Sequence, residues 1–344
     1  MSAGHATSYD VARAAGVSQS TVSRALRDDP RVSLATRERI RLIATTINYS
    51  PNLMAQSLIT GVSRSIAVLV ADLQNPVYPQ LVDSVQTTLN ERGYRMLLLS
   101  DRSEGERERD VDALRGGLVA GAMFMQARVG STLAEDLVAR GLPLVVIGRD
   151  VTSPNAGAID RFVADGSHGG VLIADYLYGL GHRRIAMVGG PENNPSINFR
   201  EVAFRARLDE LGIPLQPQFV RRGLIEHETG LAMGTELLSP AERPSVVYCG
   251  TDYIAYGVID AANRLGLSIP DDVQVIGYDD LRMSSWSMFD LTTVRQPLLE
   301  IATAGTHRLL DRIEGLFEEE PERTVFPVHL VERGTTGPWP TPAA

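Results

Sequence analysis

Residues 10–26 read DVARAAGVSQSTVSRAL. Val11, Ala12 and Ala15 give the first half of this stretch one apolar helical face, and Val22, Ala25 and Leu26 do the same for the second half. Thr7 stands where a helix cap belongs, with Asp10 at the third helical position, where a carboxylate suits the positive end of the helix dipole. Gly16 fits the left-handed turn that ends a helix. Ser18 caps a second helix from about Gln19 to Leu26. Two short helices joined by a tight Gly-Val-Ser turn are the frame of a helix-turn-helix, which places its second helix in a DNA major groove. Gln19, Ser20, Ser23 and Arg24 point outward from that helix, and Ser20 and Arg24, four apart, share a face. These residue types hydrogen-bond base edges and phosphates. Asp28-Asp29-Pro30 breaks the helix. Ser33 caps a third, with Ile40, Ile43 and Ile47 as its buried stripe and Arg37, Arg39 and Arg41 kept wet.

The charge distribution agrees. The formal net charge of the 344-residue chain is -9, yet residues 1–64 hold eight Arg against four acids and the remaining 280 hold 25 Arg against 38 acids. A basic head on an acidic body suits a small module that meets phosphates and a larger one that does not. The length fits two or three domains. No apolar run approaches the roughly 20 residues of a membrane span, and no secretory signal is expected. The single cysteine, Cys249, excludes an internal disulfide and suits a reducing cytosol, so a cytoplasmic location is expected. No P-loop, G-x-G-x-x-G, nucleophile elbow or His-rich metal spacing occurs, so neither catalysis, nor a metal, nor a cofactor is expected.

The segments YDVARAAGVS (9–18), TVSRAL (21–26), VSLATRERI (32–40) and NYSPNLMAQSL (48–58) resemble the lac repressor (LacI/GalR) family of bacterial transcription regulators, and the resemblance covers nearly the whole chain. It implies DNA contacts from Thr7, Ser18, Gln19, Ser20, Thr21, Ser23 and Arg24, with Gln19, Ser20 and Arg24 as the base readers. Ser20 stands where the lac repressor has a longer amide side chain. PNLMAQSL (51–58) resembles the family's hinge helix. Pro51 suits a helix start, but eight or so residues are too few for a helix alone in water, where about 12 to 15 are needed. The resemblance implies two such helices paired in the minor groove. Asn52 would touch DNA there, Ala55 would permit close contact and Leu58 would wedge the central base step apart.

From Ser65 onward, apolar runs alternate with helical patterns. The runs IAVLV (66–70), YRMLLLS (94–100), LVAGAMFM (118–125), LPLVVIG (142–148), RIAMVGG (184–190), SVVYC (245–249) and VQVIGY (273–278) suit strands buried on both faces. Segments 77–92, 131–140, 166–180, 198–211 and 252–265 have helical periodicity. The expected fold class is α/β. A three-helix head (1–50) and a hinge helix with linker (51–61) precede a periplasmic-binding-protein-like core (62–340) of two doubly wound subdomains. The N-subdomain is expected at about 62–161 plus 292–321 and the C-subdomain at about 162–291 plus 322–340, with crossings near 161, 291 and 322.

Ligands of such sheets bind outside the carboxyl ends of strands, in the cleft between subdomains. Asp72, Asn75, Tyr78, Asp101, Arg149, Arg200, Thr251 and Asp279 follow strands and are the candidate effector contacts. Carboxylates facing an arginine can bind neighbouring hydroxyls in pairs, as a sugar requires, and the resemblance gives Arg200 and Asp279 the strongest contacts. Asp252 reads as a helix cap. Thr251 stands where sugar-binding relatives usually have Asn, and Ile225 where the lac repressor has a stacking tryptophan. Tyr78 or Trp286 could supply an aromatic platform. The tail GTTGPWPTPAA (334–344) lacks heptads, so a homodimer without a coiled coil is expected. The reading is a repressor on a near-palindromic DNA operator, released by a sugar-type inducer. The alternatives are a corepressor mechanism with a nucleobase or other metabolite, and a solute-binding protein.

Overall fold

The computed structural model describes residues 6–49, 63–70, 72–100, 114, 118–125, 133–148, 156–192 and 194–339. The expected hinge helix with Asn52, Ala55 and Leu58 lies outside the described residues, as do Asp101 and Arg149. The chain divides into two units, Met1–Ser63 and Arg64–Ala344.

The first unit holds α1 (Ser8–Ala15), α2 (Gln19–Ala25) and α3 (Leu34–Thr46). Thr7 and Asp10 form a capping box. The Asp10 backbone N–H donates to Thr7 Oγ1 at 3.4 Å, and the Thr7 N–H donates to Asp10 Oδ2 at 2.9 Å. Bonds from Thr7 therefore hold the Asp10 carboxyl below its ordinary pKa. Gly16 closes α1 at φ 65°, a conformation that costs a side chain strain but costs glycine nothing. Ser18 and Ser33 cap α2 and α3 by accepting from the Thr21 and Thr36 N–H groups. Val11, Ala12, Ala15, Val22, Ala25, Val32, Ile40 and Ala44 make a small core, with Ile43 and Ile47 half-buried against it.

The second unit is built on two parallel sheets. In the first, β11 (Arg323–Phe326), β5 (Asp160–Ala164), β4 (Leu144–Ile147), β3 (Gly121–Phe124), β1 (Ser65–Val70) and β2 (Arg95–Ser100) lie side by side in that order. One face packs on α4 (Val77–Glu91) and α10 (Leu298–Ile313), the other on α5 (Leu133–Ala139). In the second, the order is β7 (Val220–Arg222), β6 (Ile185–Gly189), β8 (Val246–Cys249) and β9 (Gln274–Ile276). Helices α6 (Gly166–Gly179) and α7 (Pro195–Glu210) cover one face, and α8 (His227–Leu238) and α9 (Asp252–Arg264) the other. A Cβ on Gly170 would overlap the Arg200 carbonyl oxygen, so α6 and α7 cross with their backbones nearly touching.

Each apolar run quoted above contains a strand. The shorter, more polar strands do not stand out in the sequence: β5 opens on Asp160-Arg161, β7 is Val-Arg-Arg, and β10 (Thr293–Arg295) and β12 (His329–Val331) form a separate antiparallel pair. Helix α7 starts at Pro195 rather than 198, because Asn194 caps it and proline fits its first turn. The chain leaves the six-stranded sheet after β5, returns to it through β10 and α10, and leaves again between β11 and β12. These crossings bring the C-terminal ends of both sheets to one cleft.

Candidate nucleic-acid interface and effector cleft

On α2, Gln19, Ser20 and Arg24 are exposed, while Thr21 and Ser23 are half-buried. Ser18 Oγ lies 2.9 Å from both Ser20 Oγ and Thr21 Oγ1, so the cap also fixes its neighbours' hydroxyls. Gln19 Nε2 donates to Ser8 Oγ at 3.4 Å and ties α2 to α1. Arg27 donates to Ser23 Oγ at 3.0 Å, which engages the expected DNA contact Ser23 within the head. Asp28, in the left-handed region at φ 60°, holds both Arg37 and Arg41 of α3, and Asp29 holds Arg31 at 2.7 Å. That bond keeps the Asp29 carboxyl well below the usual range. Among the described residues of the head, Arg24, Arg27 and Arg39 make no ion pair. The head thus presents Arg24 uncommitted on the outward face of its second helix. Sequence reasoning passed over Tyr9, which is 68% exposed near the start of α1; its ring beside the recognition motif was the available signal.

In the larger unit, a cleft of about 470 Å³ is lined by Asn75 and Tyr78 from the first sheet's side and by Asn194, Arg200, Thr251 and Asp279 from the second's, with Gln296 from the crossing segment. Its apolar walls include Leu81, Ile197, Ile225 and Leu298. The fold thus brings Asn75, Tyr78, Arg200, Thr251 and Asp279 together. It does not bring Asp72, which is half-buried and accepts the Gln74 N–H, or Trp286, which is 47% exposed after a short 3-10 turn (Arg282–Ser285); neither lines the cleft. Asn194, Ser196, Ile197 and Gln296 line the cleft and were missed. Asn194 had a signal, an Asn-Pro pair a few residues after a strand.

Arg200 and Asp279 are both nearly fully buried. Arg200 Nη1 donates to the Gly250 carbonyl at 2.9 Å and reaches Asp279 Oδ1 at 3.4 Å, while Nε donates to the Ser196 carbonyl. Its guanidinium lies 3.8 Å from the Tyr278 ring centroid, a cation–π contact. Gln296 Nε2 donates to Asp279 Oδ1 at 2.6 Å. Among the described residues, nothing donates to Asp279 Oδ2 and nothing accepts from Arg200 Nη2. Burial raises the Asp279 carboxyl to about 7, against the pull of Arg200. Burial also works against the charge on Arg200, but Asp279 and the nearby tyrosines keep its pKa above the ordinary value. Behind the pair, Glu201 is buried, accepts the Gly190 N–H at 3.2 Å and pairs with Arg222 at 2.6 Å. Thr251 Oγ1 caps α9 by accepting from the Ile254 N–H.

A helix-turn-helix head joined to a periplasmic-binding-protein-like core with a polar cleft defines a ligand-responsive, DNA-binding transcription regulator. Residues 7–52 match the model of bacterial regulatory proteins of the lacI family, and residues 174–336 match that of the periplasmic binding protein-like domain. The HTH-type transcriptional repressor PurR of Photorhabdus laumondii is 32% identical over 332 residues, covering 95% of this chain and 96% of that one. A lac repressor dimer bound to operator and the anti-inducer ONPF superposes with a TM-score of 0.83 at 27% identity, covering 97% of this chain and all of that one. A complex of the transcriptional regulator CelR with cellobiose does so at 0.74 and 29% identity, covering 96% and 100%. The chain belongs to the lacI family of bacterial regulatory proteins. Among the described residues, no helix is long and apolar enough to cross a membrane.

Proposed function

We propose that the protein is a homodimeric repressor that binds a near-palindromic operator and releases it when a sugar-type inducer fills the cleft. Each head reads one half-site with Gln19, Ser20 and Arg24, and two-fold symmetry sets the palindrome. Thr7, Ser18, Thr21 and Tyr9 serve the backbone, and Leu58 wedges the central step. Arg200 and Asp279 grip neighbouring hydroxyls of the inducer, with Asn75, Asn194 and Gln296 around them. The observation that carries this reading is the buried Arg200–Asp279 pair, which keeps one donor and one acceptor without a partner among the described residues. A charged donor and a carboxylate acceptor side by side in a cleft can bind neighbouring hydroxyls of one ligand. The cellobiose complex of a structural neighbour supports a carbohydrate, and the operator-bound lac repressor supports a dimer on DNA. Among the described residues of the lining, Tyr78 is the one aromatic side chain, so an inducer packs mainly against aliphatic walls there.

The test is a thermal-shift screen of the full chain against sugars, sugar phosphates, nucleobases and nucleosides at millimolar concentration, followed by operator binding with each hit. A ligand present at about 100 times its Kd stabilises by ~2.7 kcal/mol. A sugar that raises the Tm and weakens operator binding is the expected result. A nucleobase that strengthens operator binding would replace the inducer reading with a corepressor one.

A further inference from the structure

We propose that Asp252 is a positioning residue for the effector site, a buried carboxylate that fastens together the segments carrying the cleft residues Thr251, Asp279 and Gln296. The proposal rests on the reading of that cleft as the effector site. Asp252 is the first residue of α9 and is fully buried. Its sequence position suggests a cap, but Thr251 already caps the helix, and every side-chain acceptor contact of Asp252 lies outside α9. Oδ1 accepts from Thr293 Oγ1 at 2.6 Å. Oδ2 accepts from Ser284 Oγ at 2.6 Å and from the Leu281 N–H at 2.8 Å. Its own N–H donates to the Tyr278 carbonyl at 2.8 Å.

Each tether sits beside a cleft residue. Thr251 is the preceding residue, Asp279 lies two residues before Leu281, and Gln296 lies three residues after Thr293 on the crossing segment. The carboxylate is in no ion pair among the described residues. A buried charge without a counter-ion is expensive, and hydrogen bonds from three donors on two separate segments are what offset it. A Cβ on Gly277 would overlap Asp252 Oδ1, so the strand end is shaped to admit the group. Ser284 Oγ is also 2.7 Å from the Tyr256 hydroxyl, and Tyr256 stacks on Phe289 at 4.3 Å. The loop carrying Asp279 is therefore held at both ends by α9. Asp279 itself sits at φ 122° and Asp280 at φ 55°, conformations that persist only where the surroundings impose them. Without the tether, the loop relaxes and the Asp279 carboxylate leaves Arg200 and Gln296.

The test compares wild type with Asp252→Asn, Thr293→Val and Thr293→Ser in the full chain. Hydrogen exchange of residues 277–296 is read without ligand, and cellobiose and D-ribose are the binding probes. Loss of one hydrogen bond to a charged group should speed exchange and weaken probe binding about tenfold in Asp252→Asn and Thr293→Val. Thr293→Ser, which keeps the hydroxyl, should behave as wild type, and operator affinity without probe should stay within about twofold in all three. Exchange and probe binding in Thr293→Val equal to those of Thr293→Ser would overturn the proposal, as would a parallel loss of operator binding. If Asp252→Asn fails to fold, the two Thr293 variants decide. If wild type binds neither probe, a sugar that raises the Tm in the thermal-shift screen takes their place, and the exchange measurement still decides whether Asp252 holds the loop.

Discussion

Replacing Arg24 with alanine separates the electrostatic part of operator binding from the rest. Four of the head's arginines are ion-paired with three of its own acids: Arg13 with Asp10, Arg31 with Asp29, and Arg37 and Arg41 with Asp28. Arg24 is exposed on α2 with no such partner among the described residues, so its charge is available to DNA. Each phosphate neutralised on B-DNA contributes about -0.9 to the slope of log K against log salt. A dimer carries two copies, so Arg24→Ala should make the slope shallower by about 1.8. Between about 50 and 200 mM salt, a fourfold range, that is a roughly 12-fold smaller loss of affinity. Arg24→Lys should keep the slope, because the charge stays. If Arg24 also reads a base, the lysine variant should lose ~1–3 kcal/mol of discrimination per half-site, because the bidentate fork is gone. The assay is a fluorescence-anisotropy titration of a selected operator and a scrambled duplex across the salt series. An unchanged slope in Arg24→Ala would show that this side chain neutralises no phosphate, and an unchanged slope with undiminished discrimination would show that the outward face of α2 is not the DNA-binding face.

Other consequences follow from the cleft and its supports. Because burial raises Asp279 to about 7, its charged acceptor is present above that pH, and inducer binding through hydroxyls should strengthen as pH rises through about 7. Asp279→Asn should remove that step in calorimetric titrations; Asp252, raised by burial to about 6, remains as a second titrating group. The native state holds the Asp279 proton between about 3.8 and 7, so this group's contribution to stability falls as pH rises through that window. His182 has the opposite sign. Buried between Ser245 and Gln274 at 2.8 and 2.9 Å, and facing Trp339, it is lowered to about 4 by desolvation. The unfolded chain therefore binds the proton first, and roughly 3 kcal/mol of stability should be lost as pH falls from about 6.5 to 4, read by urea unfolding against His182→Gln. Gly170→Ala should cost on the order of 1–3 kcal/mol or more, since the added methyl overlaps the Arg200 carbonyl; a Tm equal to wild type would show that α6 and α7 can separate freely.

The head was legible because its signals are local. Thr7, Ser18 and Ser33 cap their helices through bonds within three residues, and Gly16 takes the turn that only its sequence neighbours require. The core strands were legible because burial on both faces demands continuous Val, Ile and Leu. Within the cleft, the residues that could be named were those just after such strands: Asn75, Tyr78, Arg200, Thr251 and Asp279. Gln296 could not be, because it follows a three-residue strand whose pairing with β12 is long-range. Trp286 is an aromatic platform by its ring alone, yet its side chain is exposed at the end of a turn and lies outside the cleft lining. Asp252 looked like a cap because position and residue type agree with one. Only its distant partners Thr293 and Ser284, 41 and 32 residues away, show what the carboxylate holds. Local chemistry can be read from neighbours, whereas contacts set by chain crossings cannot.

The most direct test of the whole account is operator binding by the full-length protein, using a duplex selected from random sequence, with and without a sugar that stabilises the core. The expected result is a selected near-palindrome bound at least a thousandfold more tightly than scrambled duplex, within the usual range of roughly 10³–10⁷. Saturating sugar should then lower that affinity, and operator should lower the sugar's affinity by the same factor. Equal binding to selected and scrambled duplexes, or an operator affinity indifferent to a bound sugar, would contradict it.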